Sequence, residues 1–234
     1  MIAHFEWGLA GAKALNAKVA VTVIVDVLSF STCVDVATSK GASVVPFALK
    51  SVDEAVSAAD ALGAKVAGPR GNKDFDYSLS PATMTSLTNG TKLLLPSPNG
   101  SAISAAVQDG YVLAGCFRNA KAVAKMALSL ADGADIALIA AGEHWPDGTL
   151  RFAIEDLMGC GAILEGLDVE YSSEAQVALA AYQQSRFSID ELIKESVSGD
   201  ELNERGYPQD VDLALQIDCS NIAPLLCNGC FVAA

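Results

Sequence analysis

The run Val19 to Asp26 reads Val-Ala-Val-Thr-Val-Ile-Val-Asp, nearly continuous and β-branched, as a strand buried on both faces of a parallel sheet must be. Such a strand needs helices on both sides. Helix signals follow it: Ser31 and Thr32 offer N-cap chemistry, and small and apolar residues from Val34 to Lys40 end at Gly41. The unit then recurs. Strands are predicted at Ala42–Phe47, Ala64–Gly68, Lys92–Pro96, Tyr111–Gly115 and Ile136–Ala141, and helices at Val52–Leu62, Ser101–Val107, Ala120–Leu130 and Phe152–Leu164. Strands alternating with helices define an α/β fold, here with six strands. Two loops interrupt the alternation, Pro69–Pro81 and Gly142–Thr149, and long loops in compact domains tend to carry function.

Beyond Glu170 the chain turns polar and amphipathic, with helices predicted at Glu174–Ser185 and Ile189–Ser196 and a turn near Glu201–Arg205. No low-complexity linker separates this tail, so residues 1–234 are expected to form one domain, with helical segments from about residue 171 onward packed on the same sheet. A hydrophobic content of 51% supplies ample core for that, and is high enough to make self-association an expectation. No apolar run approaches the roughly 20 residues that span a bilayer. The N-terminus carries His4 and Glu6 instead of a basic stretch before an apolar one, so the cytosol is the expected location. The six cysteines lie mostly in apolar surroundings and predict no disulfide framework. Cys227 and Cys230 have a metal-like spacing but no second pair.

A formal charge of −13 argues against nucleic acid as a partner. An anionic substrate would have to be met locally, by a metal ion or by helix N-termini. After the first strand Asp26-Val27-Leu28-Ser29-Phe30 contains no glycine fingerprint, which excludes a nicotinamide enzyme of the usual kind.

In open α/β sheets ligands bind beyond the carboxyl ends of the strands. The residues there are Asp26 with Ser31 and Thr32, Ser97-Pro98-Asn99-Gly100-Ser101, Arg118-Asn119, and Gly142-Glu143. Asp26 follows a buried strand, where a carboxylate needs a cation or several donors; helix capping is the competing account. Capping also explains Ser31 and Thr32. Asn99-Gly100 is a turn signal, but between a strand and a helix it can aim amides at an anion. Glu155 and Asp156 open an apolar helix, where the dipole favours acids whatever their role, and where hard carboxylate oxygens also suit a metal. Arg70, in the long loop, has the fork to hold a phosphate or sulfonate; a solvated arginine is the alternative.

Taken in order, Asp26-Val27-Leu28 with Ser31-Thr32, Gly68 with Arg70, Phe75-Asp76 leading to Ser80-Pro81, Asn99-Gly100, Asn119-Ala120, Ala141-Gly142, and Glu155-Asp156 with Gly161 resemble the 2-phosphosulfolactate phosphatase family, enzymes of coenzyme M biosynthesis. The resemblance spans nearly the whole chain. It implies a three-layer α/β/α fold with a mostly parallel or mixed sheet, dependence on Mg²⁺, and hydrolysis of a small anionic phosphate ester. Carried over, it places Asp26, Asn99 and Glu155 as catalytic, Ser31, Thr32, Arg70, Gly100 and Asn119 around the substrate, and Asp26, Glu155 and Asp156 at the metal. The nucleophile is then a metal-activated water or Asp26 itself. The chain departs from the family pattern at Ser29 (arginine), Pro69 (glutamate), Leu79 (asparagine) and Ser97-Pro98 (two threonines).

Overall fold

A computed structural model describes residues 1–48 and 51–234. The chain runs β1 (Ile2–Trp7), α1 (Gly8–Leu15), β2 (Val21–Val25), α2 (Phe30–Ser39), β3 (Ser43–Ala48), α3 (Val52–Leu62), β4 (Lys65–Gly68), β5 (Tyr77–Ser78), α4 (Pro81–Met84), β6 (Lys92–Ser97), α5 (Gly100–Ala106) and β7 (Tyr111–Gly115). It continues with α6 (Ala120–Ala131), β8 (Ile136–Ala140), β9 (Glu143–His144), β10 (Leu150–Arg151), α7 (Ile154–Glu165), β11 (Glu170–Tyr171), α8 (Ser173–Ser185), α9 (Ile189–Lys194), α10 (Val197–Glu204), α11 (Pro208–Ala214), β12 (Leu225–Cys227) and β13 (Cys230–Val232).

The β-branched run that follows Lys18 forms β2, all five of whose residues are buried. Its side chains alternate between faces, as a pleated strand requires. Val21, Val23 and Val25 enter a core built with α6, α7 and α8, whereas Ile24 enters a second core with α2 and α5. The layers are therefore helix, sheet, helix. On β6 the alternation repeats: Leu93 and Leu95 face the second core, and Leu94 meets Ala55 and Ala59 of α3 on the other side. Helix α3 is bounded by local chemistry. The Ser51 hydroxyl accepts the Glu54 amide at 3.2 Å, and Gly63 closes the helix in the left-handed region at φ 59°.

One sheet of eleven strands runs β11-β1-β8-β2-β7-β12-β13-β3-β6-β4-β5. Within β11-β1-β8-β2-β7 and within β3-β6-β4-β5 every pairing is parallel. The two parallel blocks are joined by an antiparallel hairpin, β12 against β7 and β13 against β3.

That hairpin corrects the expectation of a helical tail. Helices α8 to α11 fill most of it, and Ile189, Ile193, Leu202, Val211 and Ala214 join the core under α6 and α7, but the last residues are strand. Asn228 (φ 51°) and Gly229 (φ 79°) form the turn, the Asn-Gly pair whose two positive φ angles match the twist of a two-residue hairpin. The sequence expectation also lacked β1, whose buried Ala3 and Phe5 alternate with His4 and Glu6, and α1. The α2 N-cap is Ser29, so Ser31 and Thr32 lie inside its first turn. All six cysteines are unpaired, and Cys227 and Cys230 face each other across the hairpin. Among the described residues no helix is long and apolar enough to cross a membrane.

Phe231 of β13 is fully buried and packs edge-to-face on Phe30 of α2, with centroids 6.0 Å apart. Truncating it removes the plug between the two blocks. Phe231→Ala is expected to lower unfolding free energy by about 3–5 kcal/mol in urea titrations; a loss under about 1 kcal/mol would show that the hairpin is not a structural joint.

Candidate active site

Asp26 immediately follows β2 and is buried, with 5% of its surface exposed. Its Oδ1 accepts the Phe30 amide at 2.9 Å and its Oδ2 accepts the Gly100 amide at 3.0 Å. Phe30 opens α2 and Gly100 opens α5, so one carboxylate ties the block containing β2 to the block containing β6. Gly100 has to be glycine for this. A Cβ there would enter the Phe30 ring and come within 2.9 Å of Asp26 Oδ2.

Asn99, just before Gly100, donates from Nδ2 to Glu143 Oε2 at 3.0 Å, while its Oδ1 is buried without a partner; so is Ser97 Oγ. A cleft of about 260 Å³ lies against Asn99, walled by Trp7, Ala141 and His144. Glu143 begins the β9–β10 hairpin beyond β8. Glu155 and Asp156 are both buried in the first turn of α7. Asp156 spends each oxygen on a backbone amide, Val27 at 2.7 Å and Gly142 at 2.8 Å. It thereby pins the exits of β2 and β8 to α7.

Four carboxyls thus share one low-dielectric region, and each is pushed up. Burial is the largest cause in every case. It raises Asp26 to about 6 against the pull of the Phe30 and Gly100 amides, and the charge of Glu155 adds to the rise. Burial and then the charge of Asp26 raise Glu143 to about 7. Glu155 is raised by burial and by Glu143, and Asp156 well raised by burial, Glu155 and Asp26. Such mutual repulsion favours a cation among these groups. Among the described residues, no three acids, histidines or cysteines converge closely enough to hold a metal ion by themselves. A Mg²⁺ commonly takes only one or two carboxylates and completes its shell with water and phosphate oxygens. Hard oxygens of Asp26 and Glu155, with the unpartnered Asn99 Oδ1, suit that kind of site.

Arg70 follows β4 and supplies the local positive charge. Its Nη2 donates to Ser29 Oγ at 2.8 Å, its guanidinium lies 5.6 Å from the Tyr207 ring centroid, and its Nε faces Asp210 Oδ2 at 3.4 Å without closing a hydrogen bond. Asp210 is itself fixed by the Ser80 hydroxyl at 2.6 Å.

The structure therefore gathers Asp26, Asn99, Gly100, Glu155 and Asp156, with Arg70 anchored through Ser29 close by. Three expected substrate contacts lie differently. The Ser31 and Thr32 hydroxyls are buried and donate to Ile24 O and Val27 O at 2.9 and 2.7 Å. Asn119, with no exposed surface, accepts the Cys116 amide and donates to Ala114 O. These side chains are committed to the backbone. Two residues carry weight that the sequence alone did not give them. Glu143 was visible only as a residue after a strand, and Asp210 had no sequence signal because its partners lie about 130 residues away.

The 2-phosphosulpholactate phosphatase family profile matches residues 10–229. The chain belongs to this family of phosphoric monoester hydrolases. It is 29% identical over 209 residues to a 2-phosphosulfolactate phosphatase of Methanothermobacter thermautotrophicus, covering 88% of this chain and 87% of that one. The corresponding enzyme of Methanocaldococcus jannaschii is 28% identical over 204 residues, with 83% and 84% covered. A probable 2-phosphosulfolactate phosphatase of Carboxydothermus hydrogenoformans is 29% identical over 222 residues, with 91% and 88% covered. The matched span takes in the family positions from Asp26 to Asp156, and so every carboxyl of the cluster.

Each raised carboxyl holds its proton more tightly in the folded than in the unfolded chain. The associated stability is complete below about pH 4 and is lost as pH rises through about 6 for Asp26 and about 7 for Glu143. In EDTA the melting temperature is expected to fall between about pH 5 and about pH 8. Glu143→Gln, whose amide oxygen can still accept from Asn99, should flatten that fall; an unaltered profile in this variant would show that Glu143 does not titrate there. Gly100→Ala should cut any activity of the site by about 10²-fold through misplacement of Asp26, read as kcat on the same substrate as the parent chain.

Proposed function

We propose that this chain hydrolyses a small acidic phosphate monoester, 2-phosphosulfolactate being the first candidate, to the free alcohol and inorganic phosphate with the help of Mg²⁺. The observation that carries the reading is Asp26, a buried carboxylate clamped between the Phe30 and Gly100 amides within a cluster of four repelling acids, in a chain of this family. Asp26 and Glu155 would hold the cation, with Asn99 Oδ1. Asp156, which makes the shorter pair of amide contacts, adds charge and fixes the loops. When bound, Mg²⁺ supplies Lewis-acid polarisation of the phosphoryl oxygens.

The remaining roles belong to side chains. Arg70, preset by Ser29, Tyr207 and Asp210, offers its guanidinium to the anionic end of the substrate. Glu143, oriented by Asn99 Nδ2, has a pKa near 7, suited to accept the proton of the water that attacks phosphorus. The P–O bond to the organic group breaks, its electron pair leaves with the alkoxide, and solvent protonates that oxygen.

The test is phosphate release from 2-phosphosulfolactate and other small esters, each with Mg²⁺ and with EDTA. Release is expected only with Mg²⁺, falling by about 10²-fold or more in Asp26→Asn. Release indifferent to EDTA would remove Mg²⁺ from the reading, full activity in Asp26→Asn would remove Asp26, and no release from any ester would leave an anion-binding protein on a phosphatase fold.

A further inference from the structure

A cavity of about 580 Å³ brings a second arginine beside Arg70: Arg70, Arg205 and Tyr207 all line it. Its volume lies within the range of small-molecule sites. Pro98 lines it too and directly precedes the Asn99-Gly100 turn, whose glycine amide holds one Asp26 oxygen. The backbone at Arg205 is fixed. Arg205 ends α10, and Gly206 follows in the left-handed region at φ 85°. The Gly206 amide then donates to Asn203 O at 3.0 Å and the Tyr207 amide to Leu202 O at 2.8 Å. These two bonds are the paired closure that glycine permits at a helix end, and Leu202 is buried in the core.

The two arginines differ in how their charge is met. Arg70 Nε faces the buried Asp210 carboxylate at 3.4 Å. Arg205 is exposed and, among the described residues, pairs with no carboxylate. The other arginines of the sequence, Arg70, Arg118, Arg151 and Arg186, each have an acid within 4 Å. Glu201, one helical turn before Arg205 and the acid best spaced to pair with it, reaches Arg151 instead, at 3.6 Å. The charge of Arg205 is therefore left for a ligand. Val66 and Leu79 stand in the same wall, where an ion pair is screened less than in open water.

We infer that Arg205 binds a second acidic group on the organic part of the ester, with Arg70 on the first, so that the site selects esters whose organic part is doubly acidic. This assignment rests on the phosphatase reading above and adds to it a specificity-determining residue. A guanidinium fork holds a carboxylate or a sulfonate alike. That second acid is what separates 2-phosphosulfolactate and 2-phosphomalate from 2-phospholactate, which has hydrogen in its place. Arg205 takes no part in breaking the P–O bond, which stays with the groups around Asp26.

The test compares kcat/KM with Mg²⁺ for 2-phosphosulfolactate, 2-phosphomalate and 2-phospholactate. The better of the two diacids is expected to exceed 2-phospholactate by about 10-fold or more, the scale of one charged hydrogen-bonded contact, and its identity tells which acid Arg205 receives. Arg205→Gln, at an exposed helix end, should bring that ratio to about 2-fold or less, chiefly by raising KM for the diacid. A parent chain without the preference, or a variant that loses activity equally on all three esters, would overturn the inference. Binding supplies a second readout that needs no turnover. In EDTA, calorimetry should show sulfolactate or malate binding about 10-fold or more tightly than lactate, and Arg205→Gln should erase the difference at an unchanged melting temperature. A variant that keeps the difference would place the second acid elsewhere. An Arg205-dependent binding difference in a chain that hydrolyses no ester would defeat the phosphatase reading and keep Arg205 as an anion ligand. Hydrolysis with a diacid preference that ignores Arg205 would do the reverse.

Discussion

The Asp26 carboxylate joins what the backbone leaves apart. The sheet consists of two parallel blocks, and the strands that carry the site, β2 and β6, lie in different blocks with the C-terminal hairpin between them. Hydrogen bonding along the sheet passes through that hairpin by a short antiparallel register on either side, Leu225 with Leu113 and Phe231 with Val44. At the site end, Asp26 closes the gap with one oxygen on each block's helix. Phe30 completes the joint from beneath: it meets Phe231 of the hairpin and leaves no room for a side chain at Gly100. The same residues therefore fix the relation of the blocks and the position of the Asp26 carboxylate. A change in either is felt by both.

That joint is electrostatically costly as it stands. Three buried acids and the partly buried Glu143 repel one another, and the backbone amides on Asp26 and Asp156 offset only part of the burial penalty. A fold selected for stability alone would replace such a cluster with apolar residues. Its presence at the carboxyl ends of β2 and β8 is the kind of local inconsistency that marks a working site. A proton relieves that repulsion, and a cation held there as proposed would relieve it too, so metal affinity and acid stability would be linked through one set of oxygens.

Much of this was legible in the sequence because buried parallel strands announce themselves. The continuous apolar runs gave β2, β6, β7 and β8, and the strand-exit rule pointed to Asp26, Asn99 and Gly100. What stayed hidden depended on long-range partners. Ser31 and Thr32 looked like caps facing a ligand, yet a one-turn shift of the helix start turns their hydroxyls toward Ile24 and Val27. β1 alternates polar and apolar residues, a weaker signal than the continuous apolar run of β2, although its buried face, Ala3 and Phe5, is as regular. The Asn228-Gly229 hairpin had a clear local signature and was obscured by the polar helices that precede it. Asp210 and Glu143 matter only through contacts that no spacing in the chain encodes.

The overall charge of −13 sets a final constraint on how an anion is received. Attraction at a distance opposes a phosphate ester, so recognition must come at contact range, where one well-held guanidinium counts for more than diffuse charge. Arg70 is held on three sides, by the Ser29 hydroxyl, the Tyr207 ring and the fully buried Asp210. Ser29 supplies the acceptor that aims Arg70 and also caps α2, so the charge that meets the anion is tied to the helix whose first amide holds Asp26.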